Sequence, residues 1–143
     1  RGLGDVYKRQ ALNHHMPVIE RIFGGDVTPE QMQERAEDMA LMRPNDKLVS
    51  HVVTAFATRC PVSIKLFWRL LQMADGITDI GAALTLDYHL AMRMIRRGDY
   101  IEGVRAVLVD RDNAPKWSPN SLALVDKALL DALFDEDGLP PLC

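Results

Sequence analysis

Apolar residues recur along this chain at the three- and four-residue spacing of helices, and the breaks in that spacing fall at glycine, proline and capping residues. Met16, Ile19, Ile22 and Phe23 mark a first helix over about Asn13 to Phe23, closed by Gly24 and Gly25. Thr28-Pro29-Glu30-Gln31 holds the parts of a capped start. Thr28 offers an oxygen to exposed amides, Pro29 has the φ of a first helical residue, and Gln31 can reach back. A second helix is predicted from Pro29 to about Met42, ending before Pro44. Asn45 is the expected cap of a third, with Leu48, Val49, Val52, Val53 and Phe56 as its apolar stripe up to Cys60.

Pro61 ends that helix and opens a fourth, to Ala74, with Ile64, Phe67, Trp68 and Leu71 on one face and Lys65, Arg69 and Gln72 on the wet side. The longest element is predicted from Thr78 to Gly98. Ile80, Ala83, Leu84, Tyr88, Ala91, Met94 and Ile95 repeat along it, and Arg93, Arg96 and Arg97 crowd the last turn, where the helix dipole favours cations. Asp99-Tyr100-Ile101-Glu102 reads as a second capping box opening a short helix to about Val109, which weighs against a strand over Val104 to Val109. A polar stretch from Asp110 to Pro119 leads to short final helices holding Leu122, Leu124, Leu129, Leu130, Leu133 and Phe134; Pro140 to Cys143 is expected to fray. The pattern is all-α, with about six to eight helices, no internal repeat and no low-complexity tract.

The front of the chain stands apart. Residues Arg1 to Gln10 follow neither a helical nor an alternating pattern and begin without methionine. They resemble translated adapter sequence and are read as a non-native scar, leaving 11–143 as one helical region.

Composition narrows the function classes. A chain of 143 residues with 48% hydrophobic content can close a core without staples. Cys60 and Cys143 are far apart in sequence, so no disulfide is expected and a reducing compartment fits. With 17 Lys and Arg against 20 Asp and Glu, the net charge of −3 lacks the clustered basic excess that phosphate backbones require, so nucleic acid is not an expected partner. No apolar run approaches the ~20 residues of a membrane span.

Several residues invite chemistry and each has a plainer reading. His14 and His15 are adjacent and point about 100° apart on a helix, while His51 and His89 stand alone, so no metal site is expected. Asp110-Arg111-Asp112-Asn113 begins like a calcium loop, but Pro115 occupies the sixth position and Leu122 the twelfth, where glycine and glutamate are needed. Ser63 lacks the glycines of a nucleophile elbow, and Cys60 has no histidine base placed by sequence; a capping serine and a packed cysteine are the simpler assignments. No glycine-rich phosphate cradle occurs, and no catalytic residue is assigned.

A resemblance adds what spacing does not supply. Cys60-Pro61-Val62-Ser63-Ile64-Lys65 resembles the Ser-Pro-x-Ser-Leu-Lys helix start of the 3-hydroxyisobutyryl-CoA hydrolases, a branch of the enoyl-CoA hydratase (crotonase) superfamily. Asp99 to Asp112, followed by Pro115-Lys116-Trp117-Ser118-Pro119, is similar to that family's Asp-Phe-x-Glu-Gly-Val-Arg-Ala-x-Leu-Ile-Asp-Lys-Asp signature and Pro-Lys-Trp-x-Pro tail. Ile19 to Gly25 resembles the Ile-x-x-x-Phe-Gly segment before the Ser-Pro helix, and Asp87-Tyr88-His89 stands where the family has Glu-Tyr-Arg.

The resemblance implies the C-terminal helical region of a crotonase-like α/β enzyme whose ββα core, with its oxyanion-hole amides and catalytic carboxylates, has no counterpart here. The implied activity is cleavage of 3-hydroxyisobutyryl-CoA by water to 3-hydroxyisobutyrate and CoA, in valine breakdown, with the present chain inactive alone and no cofactor beyond the CoA of the substrate. The alternatives are part of an enoyl-CoA hydratase or isomerase, and a stand-alone helical interaction module using Ile64, Phe67, Trp68 and Leu71. Expected partners are the acyl-CoA substrate of the full-length protein, the crotonase core and a second copy in a homo-oligomer, with no membrane. The expected location is the bacterial cytoplasm, or the mitochondrial matrix if the source is eukaryotic. Within the signature, Asp99 and Glu102 are expected to cap, Gly103 to allow close packing, Arg105 to pair with a carboxylate, Trp117 to anchor the following loop, and Asp110, Asp112 and Pro115 to belong to the same structural signature. Arg111, Lys116 and Trp117 are candidate contacts to CoA phosphate or adenine. Helices built to lie on a core also predict marginal, molten behaviour for the chain by itself.

Overall fold

A computed structural model of the protein describes the backbone from Leu3 to Asp135 and side chains from Asn13 onward. Arg1, Gly2 and the expected frayed end at Pro140 to Cys143 lie outside the described residues, and so does any test of a link to Cys143. Seven α-helices occur among the described residues, and no strand: α1 (Leu3–Phe23), α2 (Pro29–Met42), α3 (Lys47–Thr58), α4 (Pro61–Met73), α5 (Ile80–Arg96), α6 (Gly98–Val104) and α7 (Lys127–Phe134). A π-helical turn, Arg105–Val109, continues α6, and 3-10 turns occupy Ala74–Gly76 and Leu122–Leu124. The all-α expectation holds. The chain divides into two compact units, one up to Ala57 and the other from Thr58, a division that hydrophobic spacing alone did not reveal.

In the first unit α1 lies against α2, around Val18, Ile22, Ala36, Met39 and Val49, with Met32, Leu48, Val52 and Val53 packed beside them. Ile22 and Val49 are fully buried, each worth about 1.5–3 kcal/mol relative to exposure. Thr28 caps α2 as expected: its hydroxyl accepts the Gln31 amide at 3.4 Å, and Gln31 Oε1 accepts the Thr28 amide at 2.9 Å. Gly24 is required by crowding, since a Cβ there would stand 2.3 Å from the Glu20 carbonyl oxygen. Gly25 takes a φ of 85°, which glycine adopts at no steric cost.

Two expectations are corrected in this unit. The α1 backbone is helical from Leu3 rather than Asn13, so the segment read as patternless joins a helix. Once a helix is nucleated each added residue gains a hydrogen bond, and no glycine or proline intervenes between Gly4 and Pro17. At α3, Asp46 rather than Asn45 is the cap; its Oδ1 accepts the Leu48 and Val49 amides at 3.0 and 3.3 Å.

The second unit is built on Cys60, Val62, Leu66, Leu90, Val125, Leu130 and Leu133, with Leu70, Leu86, Met94 and Trp117 packed on them. Here α7 contacts both α4 and α5. The wet side predicted for α4 holds at exposed Gln72 and is corrected at Lys65 and Arg69. Lys65 Nζ donates to the Val125 carbonyl at 2.8 Å, and Arg69 pairs with Asp131 at 2.6 Å while its guanidinium lies 4.4 Å from the Phe134 ring centroid. Both side chains are half-buried, and their charged ends find partners between Val125 and Phe134. Phe67 and Leu71 are instead exposed, 61 and 58%. On α5, capped by Asp79 through the Ala82 amide at 2.7 Å, Leu90 is the buried residue, and Ile80, Leu84 and Ile95 are exposed. Both helices carry apolar residues on more than one side, which leaves periodicity unable to choose the inward face.

Candidate functional site

The residues from Asp99 to Ser118 form one polar latch. Asp99 and Glu102 lie three apart on α6, on neighbouring positions of its surface. Glu102 Oε1 accepts the Lys116 amide at 2.6 Å, and Asp99 Oδ1 accepts the Ser118 amide at 3.1 Å. Two helix carboxylates thus hold alternate amides of one extended loop.

The capping box expected of this pair is therefore corrected. Arg97 occupies the cap position and makes no side-chain cap bond, and both carboxylates are spent on the loop. The pattern of Asp followed by Glu at the third position is the same in either use, so sequence alone did not separate them. Asp99 is buried at 6% exposure, and Arg97 answers its charge with Nε and Nη2 both 3.3 Å from Oδ2. Arg97 Nη2 also donates to the Ser118 carbonyl at 3.1 Å. Read from sequence only as a favourable helix-end cation, Arg97 proves to be a brace of the loop.

Arg105 is the second brace. Its Nε and Nη2 fork onto Glu102 at 2.9 and 2.8 Å, and Nη1 donates to Asp110 at 2.6 Å and to Asp112 at 2.7 Å. Nη2 reaches the Ala114 carbonyl at 3.2 Å. The Arg105 fork, aided by the Lys116 amide, brings the Glu102 carboxyl down to about 2. The Ala114 amide and Arg105 likewise lower Asp112, and the three carboxylates, Glu102 foremost, push the guanidinium upward. The π turn serves this arrangement: Asp110 N donates to the Arg105 carbonyl at 2.8 Å, and Asn113 N to the Ala106 carbonyl at 3.0 Å, folding the loop back over the arginine. Arg111 and Asn113 adopt left-handed φ values of 56° and 52° in that reversal.

Trp117 projects between the two held amides. A Cβ on Gly103 would meet its indole at 3.3 Å, and Nε1 donates to the Thr58 carbonyl at 2.9 Å. The indole forms one wall of an apolar cleft of about 460 Å³, whose other walls include Cys60, Ser63, Met94, Tyr100, Val107 and Leu108. Gly103, Arg105 and Trp117 thus have the packing, pairing and anchoring contacts expected from the sequence. Asp110 and Asp112 have a partner, Arg105, that sequence spacing did not name for them.

Of the three CoA-contact candidates, Trp117 alone lines the cleft, while Arg111 and Lys116 are exposed on the loop. Lys116 enters the latch through its backbone amide. Ser63 and Cys60 share the cleft wall with Asp99, whose carboxylate is already taken by Arg97 and Ser118. His89, elsewhere on α5, has a buried Nε2 without a hydrogen-bond partner among the described residues. The arrangement in the second unit organises a loop and a cleft; among the described residues that line the cleft it brings no nucleophile together with a free base.

Comparison with known proteins places this latch in a wider setting. Residues 4–134 match the family described as enoyl-CoA hydratase/isomerase. The chain is 31% identical over 135 residues to a mitochondrial 3-hydroxyisobutyryl-CoA hydrolase of Gallus gallus, covering 94% of this chain and 33% of that protein. It is 30% identical over 134 residues to the Homo sapiens protein of the same name, again covering 94% and 33%. A crystal structure of an enoyl-CoA hydratase from Rhodobacter sphaeroides superposes with a TM-score of 0.73 at 24% identity, over 86% of this chain and 34% of that one, a likeness of fold. The chain spans about a third of the length of the curated relatives it matches. With 131 of its 143 residues inside the family match, the chain belongs to the enoyl-CoA hydratase/isomerase family.

Proposed function

We propose that this chain is the C-terminal helical part of an acyl-CoA thioester hydrolase that cleaves 3-hydroxyisobutyryl-CoA with water to 3-hydroxyisobutyrate and CoA. The observation carrying this reading is the match to proteins named 3-hydroxyisobutyryl-CoA hydrolase from animals, a plant and Dictyostelium discoideum, at 26–31% identity over 85–94% of the chain. The signature residues supply scaffold: Asp99, Glu102, Arg97 and Arg105 fix the loop, and Trp117 fixes the cleft beside it. Arg111 and Lys116, exposed on that loop, offer cationic side chains to the phosphates of CoA, while Trp117 keeps its structural place. Chemistry belongs to residues outside this chain. Several eukaryotic relatives are named mitochondrial, which supports a mitochondrial location for a eukaryotic source.

The test is thiol release. The full-length gene product, incubated with 3-hydroxyisobutyryl-CoA and a thiol-trapping dye, is expected to liberate free CoA, and the 143-residue chain alone is not. Turnover by the short chain would refute the division of labour. The family description and the hydratase fold favour a second reading, an enoyl-CoA hydratase or isomerase. In that case the full-length product consumes an enoyl-CoA without releasing thiol.

A further inference from the structure

A second groove in this unit, of about 660 Å³, is walled by α5, the end of α4 and the last turn of α7. Its size falls within the range of small-molecule sites, about 300–1,000 Å³. Met73, Leu86 and Phe134 give it apolar walls, and Arg69, His89 and Arg93 bring nitrogen donors to it. None of these six lines the cleft beside Trp117.

The last turn of α7 gathers two guanidiniums at one end. Arg69 meets Asp131 at 2.6 Å and lies over the Phe134 ring, and Arg93 donates to the Leu133 carbonyl at 3.2 Å. A guanidinium carries five N–H donors, more than either of these bonds uses, and Asp131 is shared with Lys127 at 2.6 Å. His89 stands about one turn before Arg93 on α5, and its buried Nε2 has no partner among the described residues. An unpaired buried nitrogen is costly, so the site favours an occupant that can bond it. Histidine χ2 is a broad torsion, and a turn of the ring brings Nε2 to such an occupant.

We propose that this groove binds a small carboxylate with an apolar tail, the carboxylate held by Arg69, Arg93 and His89 and the tail lying along Met73 and Leu86. Guanidinium and carboxylate match as planar forks, which suits a carboxylate to the α7 end. Asp79, the carboxylate among the groove's own lining residues, caps the first turn of α5 through the Ala82 amide and lies about 20 Å from Arg93 along the helix, too far to oppose the anion. A purely apolar cover would leave the His89 nitrogen unpaired. The inference is independent of the hydrolase reading.

Methyl NMR of the full-length gene product labelled at methionine tests this, because Met73 lines this groove and Met94 lines the other cleft. Titration with hexanoate is expected to shift the Met73 methyl saturably and to leave Met94 in place, while hexanol, with the same tail and no charge, shifts Met73 far less. His89→Leu is expected to weaken hexanoate binding at least about tenfold, as for a lost bond to a charged group, and His89→Gln, which keeps a donor, to retain it. The comparison of hexanoate with hexanol is made on the unaltered protein, so it decides the matter even where the leucine variant folds poorly. A Met73 methyl that ignores hexanoate, an equal response to hexanol, or undiminished binding by a well-folded leucine variant would each overturn the proposal.

Discussion

The Trp117 indole lies so close over Gly103 that a Cβ on the glycine would stand 3.3 Å from the ring. Because Nε1 is tied to the Thr58 carbonyl at 2.9 Å, the ring cannot retreat without giving up that bond. Gly103→Val is therefore expected to lower the stability of the full-length protein by about 1–3 kcal/mol through overpacking. Gly103→Ala is expected to change little, since the helix gains about 1 kcal/mol from replacing glycine. Chemical denaturation of both variants checks this, and equal stability of Val and wild type would show that the contact is slack.

Glu102 should titrate far below an ordinary glutamate. Its carboxyl falls from 4.5 to about 2 in the folded state, so its contribution to stability is present in full above the ordinary value and is lost as pH falls toward about 2. Asp112, lowered by the Ala114 amide and Arg105, loses its contribution in the same direction. Carbon-detected NMR of the side-chain carboxyl measures the midpoint directly. A value near 4 would mean that the Arg105 fork does not persist in solution.

Arg69 ties α4 to α7 through Asp131 and Phe134. Arg69→Met keeps the stem but removes the charge, costing about 0.5–1 kcal/mol from the ring contact alone. Amides of α7 are expected to exchange faster in hydrogen–deuterium measurements. Unchanged exchange there, with faster exchange elsewhere, would contradict the assignment. The Asp131 carboxyl, lowered by Lys127 and then Arg69, loses its contribution to the tie when pH falls through its depressed folded value.

If Arg111 and Lys116 meet CoA phosphates, Arg111→Gln with Lys116→Gln should raise KM for the acyl-CoA about tenfold or more, as expected for lost charge-assisted bonds, with kcat nearly unchanged. A thioester of pantetheine, which lacks the nucleotide, provides the comparison. A KM that rises equally for both substrates would point to a general disturbance of the loop.

Exposed Phe67, Leu71, Ile80, Leu84, Ile101 and Leu108 give the isolated chain apolar faces with water as their only cover among the described residues. Such a chain is expected to bind a hydrophobic dye and to melt over a broad range. A sharp cooperative transition without dye binding would show the units to be self-sufficient.

Much of the fold was legible because capping and breaking residues act locally. Thr28 with Gln31, Pro29 and Pro61 fixed the starts of α2 and α4 to the residue. Inward faces were less legible: on α4 the stripe of Ile64, Phe67, Trp68 and Leu71 is periodic, yet the core takes Val62 and Leu66, while Lys65 reaches the Val125 carbonyl and Arg69 pairs with Asp131 of α7. Periodicity reports that a helix has an apolar side; the partner decides which side is used. The latch shows the same limit. The motif around Glu102, Gly103, Arg105 and Trp117 identified the segment, but Asp99 and Glu102 serve amides 19 and 14 residues away, a destination that local capping rules do not contain.

The π turn at Arg105–Val109 fixes the length of this segment as well as its shape. A π turn holds one residue more than the regular helix it interrupts. Deleting one residue between Ala106 and Val109 would restore α-helical winding and swing the downstream loop by about 100°, so that Asp110 and Asp112 would no longer face the Arg105 fork. Side chains at exposed Val107, Leu108 and Val109 are exchangeable in a way that the number of residues is not, and the spacing from Arg105 to Trp117 is consequently a ruler as well as a motif.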